Sequence, residues 1–128
     1  MTTGRGRTRS NSPKAIELWQ QACALWDGGR HRKAFELMKL AARKGEPPAR
    51  LNLGYFYDEG IGTRPDKRRA VLCYRMSAAR GNASGAYNIG VSYRNEGRYT
   101  LARRWYERAL SLGEPDALLD RISARRSL

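Results

Sequence analysis

Apolar residues recur at helical spacing along most of the chain, and a glycine closes each run. Leu18, Ala22 and Leu25 are separated by four and three residues and are followed by Gly28. This spacing places the apolar side chains on one face of a helix, and glycine is the residue type that commonly ends one. No stretch alternates in the way that a strand requires, so the pattern predicts an all-α fold. Five further runs end at Gly45, Gly60, Gly81, Gly97 and Gly113.

The helical segments are copies of one repeating unit. Three alanines, Ala34, Ala70 and Ala102, stand 36 and 32 residues apart, and each is followed by a large side chain four residues later and by a glycine eleven residues later. A period in this range is typical of stacked helix hairpins, which bury their apolar faces against one another. The sequence therefore predicts a right-handed α-α superhelix (solenoid) of about three helix hairpins plus a short C-terminal capping helix.

Side-chain size within the unit predicts how the helices pack. The small residues Ala22, Gly54 and Gly90 are expected where the two helices of a hairpin approach closely. Large residues are expected between neighbouring hairpins, and these are Met38, Tyr57, Tyr74, Tyr93, Trp105 and Tyr106. Residues 14–128 then form one repeat domain, with units at about 15–45, 46–81 and 82–113 and a cap at 114–126.

Residues 1–13 differ from the rest, because they contain no aliphatic or aromatic residue after Met1. Such a segment buries too little apolar surface to offset the entropy of ordering. It also carries Arg5, Arg7 and Arg9. The sequence predicts a flexible basic tail here.

The chain as a whole is strongly basic. It carries 25 Lys and Arg against 12 Asp and Glu, a formal net charge of +13, and 20 of the basic residues are Arg. This excess suits an acidic partner such as nucleic acid, an anionic membrane surface or an acidic protein; a solvated basic surface is the alternative. No apolar run reaches the roughly 20 residues that span a bilayer, and the N-terminus lacks the apolar core of a secretory signal. We therefore expect a cytoplasmic protein without a membrane span.

Residues with catalytic or metal-binding chemistry are few. Cys23 and Cys73 lie far apart in the sequence without a C-x-x-C spacing, so we expect buried thiols and no disulfide. His31 is the one histidine of the chain, which excludes a His-based metal cluster within it. The Gly60-Ile61-Gly62 segment lacks the third glycine and the strand-to-helix setting of a phosphate loop. We expect no enzyme activity, no cofactor and no metal site.

The second unit resembles a known repeat. Residues 51–62 read Leu-Asn-Leu-Gly-Tyr-Phe-Tyr-Asp-Glu-Gly-Ile-Gly and continue through Asp66 to Tyr74, and they resemble a Sel-one-like repeat. Arg69 stands where that family has Lys, and Cys73 stands where it has Trp.

The flanking units extend this resemblance. The third unit lacks the glycine-rich insertion and is similar to a tetratricopeptide repeat, while the first unit is the most divergent, as expected of a unit that caps one end. The resemblance covers nearly all of residues 15–113 and implies a scaffold or adaptor role without naming a partner.

In repeat proteins of this type, the first helix of each hairpin lines the concave face, and the resemblance implies the same here. An aromatic groove with mixed polar rims suits a helix or an extended peptide, so we expect a protein or peptide partner that is acidic or of mixed aromatic and acidic character. Alternatively, Trp19, Tyr55 and Tyr87 simply pack between units. The predicted partner-binding positions are Trp19, Trp26, Asp27, Tyr55, Asp58, Glu59, Tyr87, Arg94 and Asn95.

Second helices carry many arginines, which would lie on the convex face. Together with the tail they could bind nucleic acid or a ribosome, and a solvated outer face is the alternative. The leading prediction is a protein–protein interaction module that acts as an adaptor or scaffold, and a basic nucleic-acid- or ribosome-associated protein is the second. The predicted basic surface consists of Arg5, Arg7, Arg9, Arg68, Arg69, Arg75, Arg103, Arg104 and Arg108.

Overall fold

The computed structural model describes residues 13–114 and residue 117, and this part of the chain contains six α-helices of 13 residues each. The predicted all-α class is confirmed. Most of the predicted tail, and the predicted cap apart from Glu114 and Ala117, lie outside the described residues. The helices are α1 (Ala15–Asp27), α2 (His31–Arg43), α3 (Pro47–Glu59), α4 (Lys67–Ala79), α5 (Ala83–Asn95) and α6 (Tyr99–Ser111).

Local sequence signals set several of these bounds. Before α4, Asp66 Oδ1 accepts a hydrogen bond from the backbone N–H of Arg69 at 3.0 Å, and before α5, Asn82 Oδ1 accepts one from Ser84 at 2.9 Å. These side chains satisfy N–H groups that have no partner within the helix. At the end of α3, Gly60 has a φ of 73°, a left-handed conformation that glycine adopts without steric cost.

The helices pack as the pairs α1/α2, α3/α4 and α5/α6, and the pairs stack through α2 on α3 and α4 on α5. Within the second and third pairs, a glycine lies against a tyrosine ring. A Cβ atom on Gly54 would come within 2.6 Å of Tyr74 Cε1, and one on Gly90 would come within 2.5 Å of Tyr106 Cδ1. The predicted close approach at these two glycines is therefore confirmed.

The position of these two tyrosines differs from the sequence prediction. The size pattern predicts Tyr74 and Tyr106 between neighbouring pairs, whereas each lies inside its own pair against the glycine, 1% and 0% exposed respectively. The reason is that a glycine leaves a gap on its helix that the ring of the partner helix fills. The approach between the second and third pairs is made at Gly85, where a Cβ would lie 2.8 Å from the Tyr74 backbone oxygen.

The turn between α3 and α4 reaches back to the first pair. Gly62, with a φ of 71°, lies so close to the backbone carbonyl of His31 and to Phe35 of α2 that it leaves no room for a Cβ atom. The turn is closed by a 2.7 Å hydrogen bond from the Asp66 N–H to the Tyr57 carbonyl. This glycine-rich segment therefore joins two successive units.

Candidate partner-binding surfaces

An aromatic cluster joins the first helices of the first two units. The Trp26 ring of α1 lies 4.7 Å from Phe56 in an edge-to-face arrangement and 5.8 Å from Tyr55, measured between ring centroids. Phe56 is fully buried, whereas Tyr55 is 41% exposed. Trp19 also bridges the two helices, because its Nε1 donates a 2.8 Å hydrogen bond to Asn52 Oδ1. We call Trp19, Trp26 and Tyr55 the aromatic face.

Members of the aromatic face differ in what they contribute. Trp19 and Trp26 are half-buried and hold α1 against α3, which is what the packing alternative predicts for Trp19. Tyr55 keeps its exposed surface although its ring rests on Trp26. A rigidly supported, exposed aromatic ring can provide a large contact area at low entropic cost.

The acidic residues predicted for this surface separate into two groups. Asp27 and Glu59 are exposed at the ends of α1 and α3. Asp58 instead binds α4, because it accepts hydrogen bonds from Lys67 Nζ and, at 3.1 Å, from the Tyr74 hydroxyl. Burial, followed by the Asp58 charge, raises the pKa of Tyr74. Asp58 thus stabilises its own helix pair.

In the third unit the predicted positions all lie on α5. Tyr87 is half-buried, with its ring 5.8 Å from Tyr106 of α6. Arg94 is half-buried near the end of α5, and Asn95 is exposed there. The structure therefore brings Trp26 and Tyr55 into contact and joins Trp19 to the same pair of helices, and the role of these residues in binding a partner stays a prediction.

Among the predicted basic residues, Arg5, Arg7 and Arg9 lie outside the described part of the chain. On the second helices, Arg75 and Arg108 flank the ring of Trp105, with guanidinium-to-centroid distances of 5.5 and 5.7 Å. Arg69 pairs with Asp66 at 3.5 Å, and its guanidinium lies 5.9 Å from the centroid of the Tyr57 ring. Arg68 and Arg104 are exposed, and Arg103 is half-buried.

Both cysteines are free thiols, and burial raises the pKa of each, to about 11 for Cys73. The negative charge of Asp27 adds to the rise for Cys23. Within the described residues, no group of three or more His, Cys, Asp or Glu side chains is placed to hold a metal ion. No helix in the described ranges is long and apolar enough to cross a bilayer.

Two polar residues that the sequence analysis did not single out lie between the first and the second helix of the second pair. Arg50 of α3 and Ser77 of α4 line one cavity, and both carry buried polar atoms without a hydrogen-bond partner in the described part of the chain. A signal was present for Arg50, because it stands at the i, i+3, i+7 spacing with Leu53 and Tyr57, on an otherwise apolar stripe.

Comparison with known proteins identifies the repeats. The Sel1 repeat family matches residues 2–25, 30–46 and 47–82. The tetratricopeptide repeat family matches residues 83–116, which confirms the distinction drawn between the second and third units.

Curated relatives include far longer proteins. A putative sel1-like repeat-containing protein of Acanthamoeba polyphaga mimivirus is 30% identical over 63% of this chain and 15% of its own length. Chitin synthase regulatory factor 3 of Schizosaccharomyces pombe is 28% identical over 88% of this chain and 13% of its own. The chain therefore spans only a small part of the curated relatives it matches.

Solved structures show the same fold. A Sel1 repeat protein from Oxalobacter formigenes superposes with a TM-score of 0.72 at 24% identity, covering 85% of this chain and 48% of that one. A protective antigen of uropathogenic Escherichia coli with an SLR fold also gives a TM-score of 0.72, at 32% identity, over 80% of this chain and 24% of its own. Together with the matched repeats, which span more than half of the sequence, these likenesses show that the chain belongs to the Sel1 repeat family, with a tetratricopeptide repeat as its last matched unit.

Proposed function

We propose that this chain is an adaptor or scaffold that binds a peptide or protein partner through the first helices of its units, with Tyr55 as the central contact. Sel1 and tetratricopeptide repeats are generally protein-interaction modules and are typically non-catalytic. The observation that carries the proposal is the 41% exposure of Tyr55, whose ring packs against Trp26 with 5.8 Å between the ring centroids.

The surroundings of Tyr55 support a mixed aromatic and polar contact. Asp27 and Glu59 are exposed at the ends of the same two helices. Exposed aromatic rings beside polar groups are typical of the residues that dominate binding energy at interfaces, where tyrosine and tryptophan are enriched.

The test compares two single variants in a quantitative pull-down from the source cells. Tyr55→Ala removes the exposed ring, and Leu72→Ala is the matched control, because Leu72 is a large apolar side chain on α4 that is 60% exposed. We expect at least one protein whose recovery falls about tenfold with Tyr55→Ala and is unchanged with Leu72→Ala, which corresponds to about 1.4 kcal/mol of binding energy.

Both variants should keep the helical circular dichroism of the parent chain, because substitutions at exposed positions usually change stability by less than about 0.5 kcal/mol. Identical sets of recovered proteins for the parent chain and Tyr55→Ala would refute binding through the aromatic face.

Nucleic-acid or ribosome binding is the second candidate, supported by the net charge of +13 and by the arginines at Trp105. It predicts RNA binding that weakens steeply between about 50 and 200 mM salt. Absence of binding at the lower salt concentration would end this candidate. The expected cytoplasmic location also stays a proposal, which cell fractionation tests.

A further inference from the structure

Arg50 is in an unusual position for an arginine. Its Nε and Nη1 atoms are buried, and within the described residues they donate to no acceptor. Arg50 as a whole is half-buried. Burying two guanidinium N–H groups without a protein acceptor destabilises the fold, because these groups lose hydration and gain no hydrogen bond from the chain. Residues that carry such a cost are often retained for binding.

A second polar group faces the same cavity. Ser77 is 3% exposed, and its Oγ is also without a hydrogen-bond partner in the described ranges. Arg50 and Ser77 line a cavity of about 160 Å³ together with Arg80 and the turn at Gly81 and Asn82. Two buried donors and a further arginine around one small cavity suit a carboxylate, which accepts hydrogen bonds only.

The repeat register shows that these polar residues are particular to the second unit. Arg50 lies four residues before Gly54. The equivalent positions, four residues before Ala22 and Gly90, are Leu18 and Ala86, which are 4% and 0% exposed. Ser77 lies seven residues after Ala70, the repeated alanine of the second unit. The equivalent positions in the other two units are Ala41 and Ala109, which are both fully buried. Packing of the solenoid therefore requires neither polar group.

A larger cavity adjoins this one through Arg50. It has a volume of about 310 Å³ and lies between α2 and α4 over α3. Its apolar lining comes from Leu53, Tyr57, Cys73 and Met76, and its basic lining from Lys39 and Arg43. Met76 is 51% exposed. We call the two cavities together the α2–α4 groove.

We propose that the α2–α4 groove binds an acidic peptide segment of a partner protein, with a carboxylate against Arg50 and Ser77 and a neighbouring apolar side chain in the larger cavity. Charge complementarity selects the acidic group, and the apolar lining favours a peptide over a free inorganic anion. The groove lies against the second helices and does not include the aromatic face.

Direct binding can be measured with small probes by NMR, following the Nε–Hε resonance of Arg50 and, so that variants at Arg50 can be compared, the backbone amide resonances of Gly81 and Asn82 at the same cavity. Acetyl-Leu-Glu-amide and acetyl-Glu-Leu-amide are titrated to about 10 mM, a range that reports millimolar affinity. The matched glutamine peptides carry no charge, and inorganic phosphate carries charge without an apolar group. We expect a saturable shift with at least one glutamate peptide and at least tenfold weaker binding of its glutamine counterpart.

Other outcomes of the titration overturn the proposal. Equal shifts with glutamate and glutamine peptides would remove the role of the carboxylate, and no shift with any peptide would remove the site. A phosphate shift as strong as that of the better glutamate peptide would make this a site for free anions and refute the assignment to a peptide.

Two variants separate binding from folding. Arg50→Met keeps an unbranched side chain as far as the Nε position and removes the charged guanidinium group, and we expect at least tenfold weaker probe binding together with an unchanged or higher Tm. Ser77→Ala should weaken the probe without lowering Tm, because it removes a hydroxyl that lacks a partner. Arg104→Met is the control, since Arg104 is exposed on α6, and should change neither quantity.

A lower Tm for both groove variants with unchanged probe binding would show that Arg50 and Ser77 are structural and would refute the site. If Arg50→Met fails to fold, Ser77→Ala alone decides, because undiminished peptide binding by this variant counts against the carboxylate position. Tyr55→Ala should bind the glutamate peptide as the parent chain does. The proposal for the α2–α4 groove and the proposal for the aromatic face can therefore be refuted independently of each other.

Discussion

The contact between Gly90 and Tyr106 provides a direct test of how the helix pairs pack. A Cβ atom at Gly90 would lie 2.5 Å from both Cδ1 and Cε1 of Tyr106 and 3.1 Å from Cζ. Carbon atoms in ordinary contact are about 3.5–4.0 Å apart, so the overlap is about 1 Å at two ring atoms. Tyr106 is fully buried, and its ring therefore cannot swing into solvent.

Two opposing effects decide the stability of Gly90→Ala. Alanine in place of glycine inside a helix contributes about 1 kcal/mol of stability through backbone entropy. Overpacking a close-packed core costs about 1–3 kcal/mol. Since the overlap falls on a ring that cannot move away, we expect the steric cost to prevail, with a net loss of about 1–2 kcal/mol.

Thermal unfolding followed by circular dichroism at 222 nm measures the loss. A loss of 1 kcal/mol lowers Tm by about 4–8 °C in domains of about 60–100 residues and by about 2–4 °C in domains of about 150–250 residues, so we expect a shift between these ranges. Gly54→Ala should behave alike, because its Cβ would meet Tyr74 ring carbons at 2.6 and 2.7 Å. Asn95→Ala is the control on an exposed position of α5, with a change of less than about 0.5 kcal/mol.

A double variant isolates the steric contribution. In Gly90→Ala/Tyr106→Leu, the ring that the new Cβ meets is absent, so the combined loss should be smaller than the sum of the two single losses by about 0.5 kcal/mol or more. A Gly90→Ala protein as stable as the parent chain, or additive losses in the double variant, would refute the close contact as the reason for glycine here.

Three further measurements test the turns and the core. Gly62→Ala should lower stability by about 1–3 kcal/mol in chemical denaturation, because its backbone is left-handed and a Cβ would collide with the His31 carbonyl; an unchanged midpoint would show that the turn does not rest on α2. Asn82→Ala should cost about 1 kcal/mol in the same assay, since it removes the cap of α5, and no loss would mean that the cap is dispensable. In a Cys23→Ser background at pH 8, Cys73 should react with iodoacetamide about tenfold more slowly in the folded chain than in urea, because burial raises its pKa from 9.0 to about 11 and the remaining thiolate is somewhat more nucleophilic. Equal alkylation rates in the folded and the urea-unfolded chain would show that the thiol is not buried. The same pKa shift implies that the stability due to the neutral thiol is complete below pH 9 and is lost as the pH rises from about 9 to about 11.

Side-chain type and period were sufficient to predict the helices and their close approaches. Gly54 and Gly90 recur in the same place of successive units, and a glycine inside a helix is destabilising unless something must pass close by. Helix ends were predictable for a similar reason, because each apolar run stops at a glycine. Five of these closing glycines have a positive φ, namely Gly45, Gly60, Gly81, Gly97 and Gly113, and at the end of the first run the positive φ lies at Gly29, directly after Gly28.

The direction in which a side chain points was less predictable. A repeat pattern gives the sequence separation between Tyr74 and Gly54, but it does not show which helix the tyrosine ring contacts. The structure places that ring against Gly54, within its own helix pair. Gly62 lies in the glycine-rich segment after α3, and its contact with α2 depends on the stacking of two units. Both features belong to tertiary packing, which a single period cannot specify.

The same reasoning explains why Arg50 was not recognised as a candidate. An arginine near the start of a helix is usually solvated, and its burial here arises only because α2 and α4 lie on either side of α3. The repeat nevertheless provides a usable criterion. Where two units have a buried apolar residue at the same position, the fold needs only an apolar side chain there. A polar side chain at that position in the remaining unit lowers the stability of the fold, and packing does not account for its presence. Arg50 and Ser77 both meet this criterion and line one cavity. The exposed arginines of the second helices do not meet it. The α2–α4 groove therefore gives a more specific prediction of an acidic partner than the total charge does.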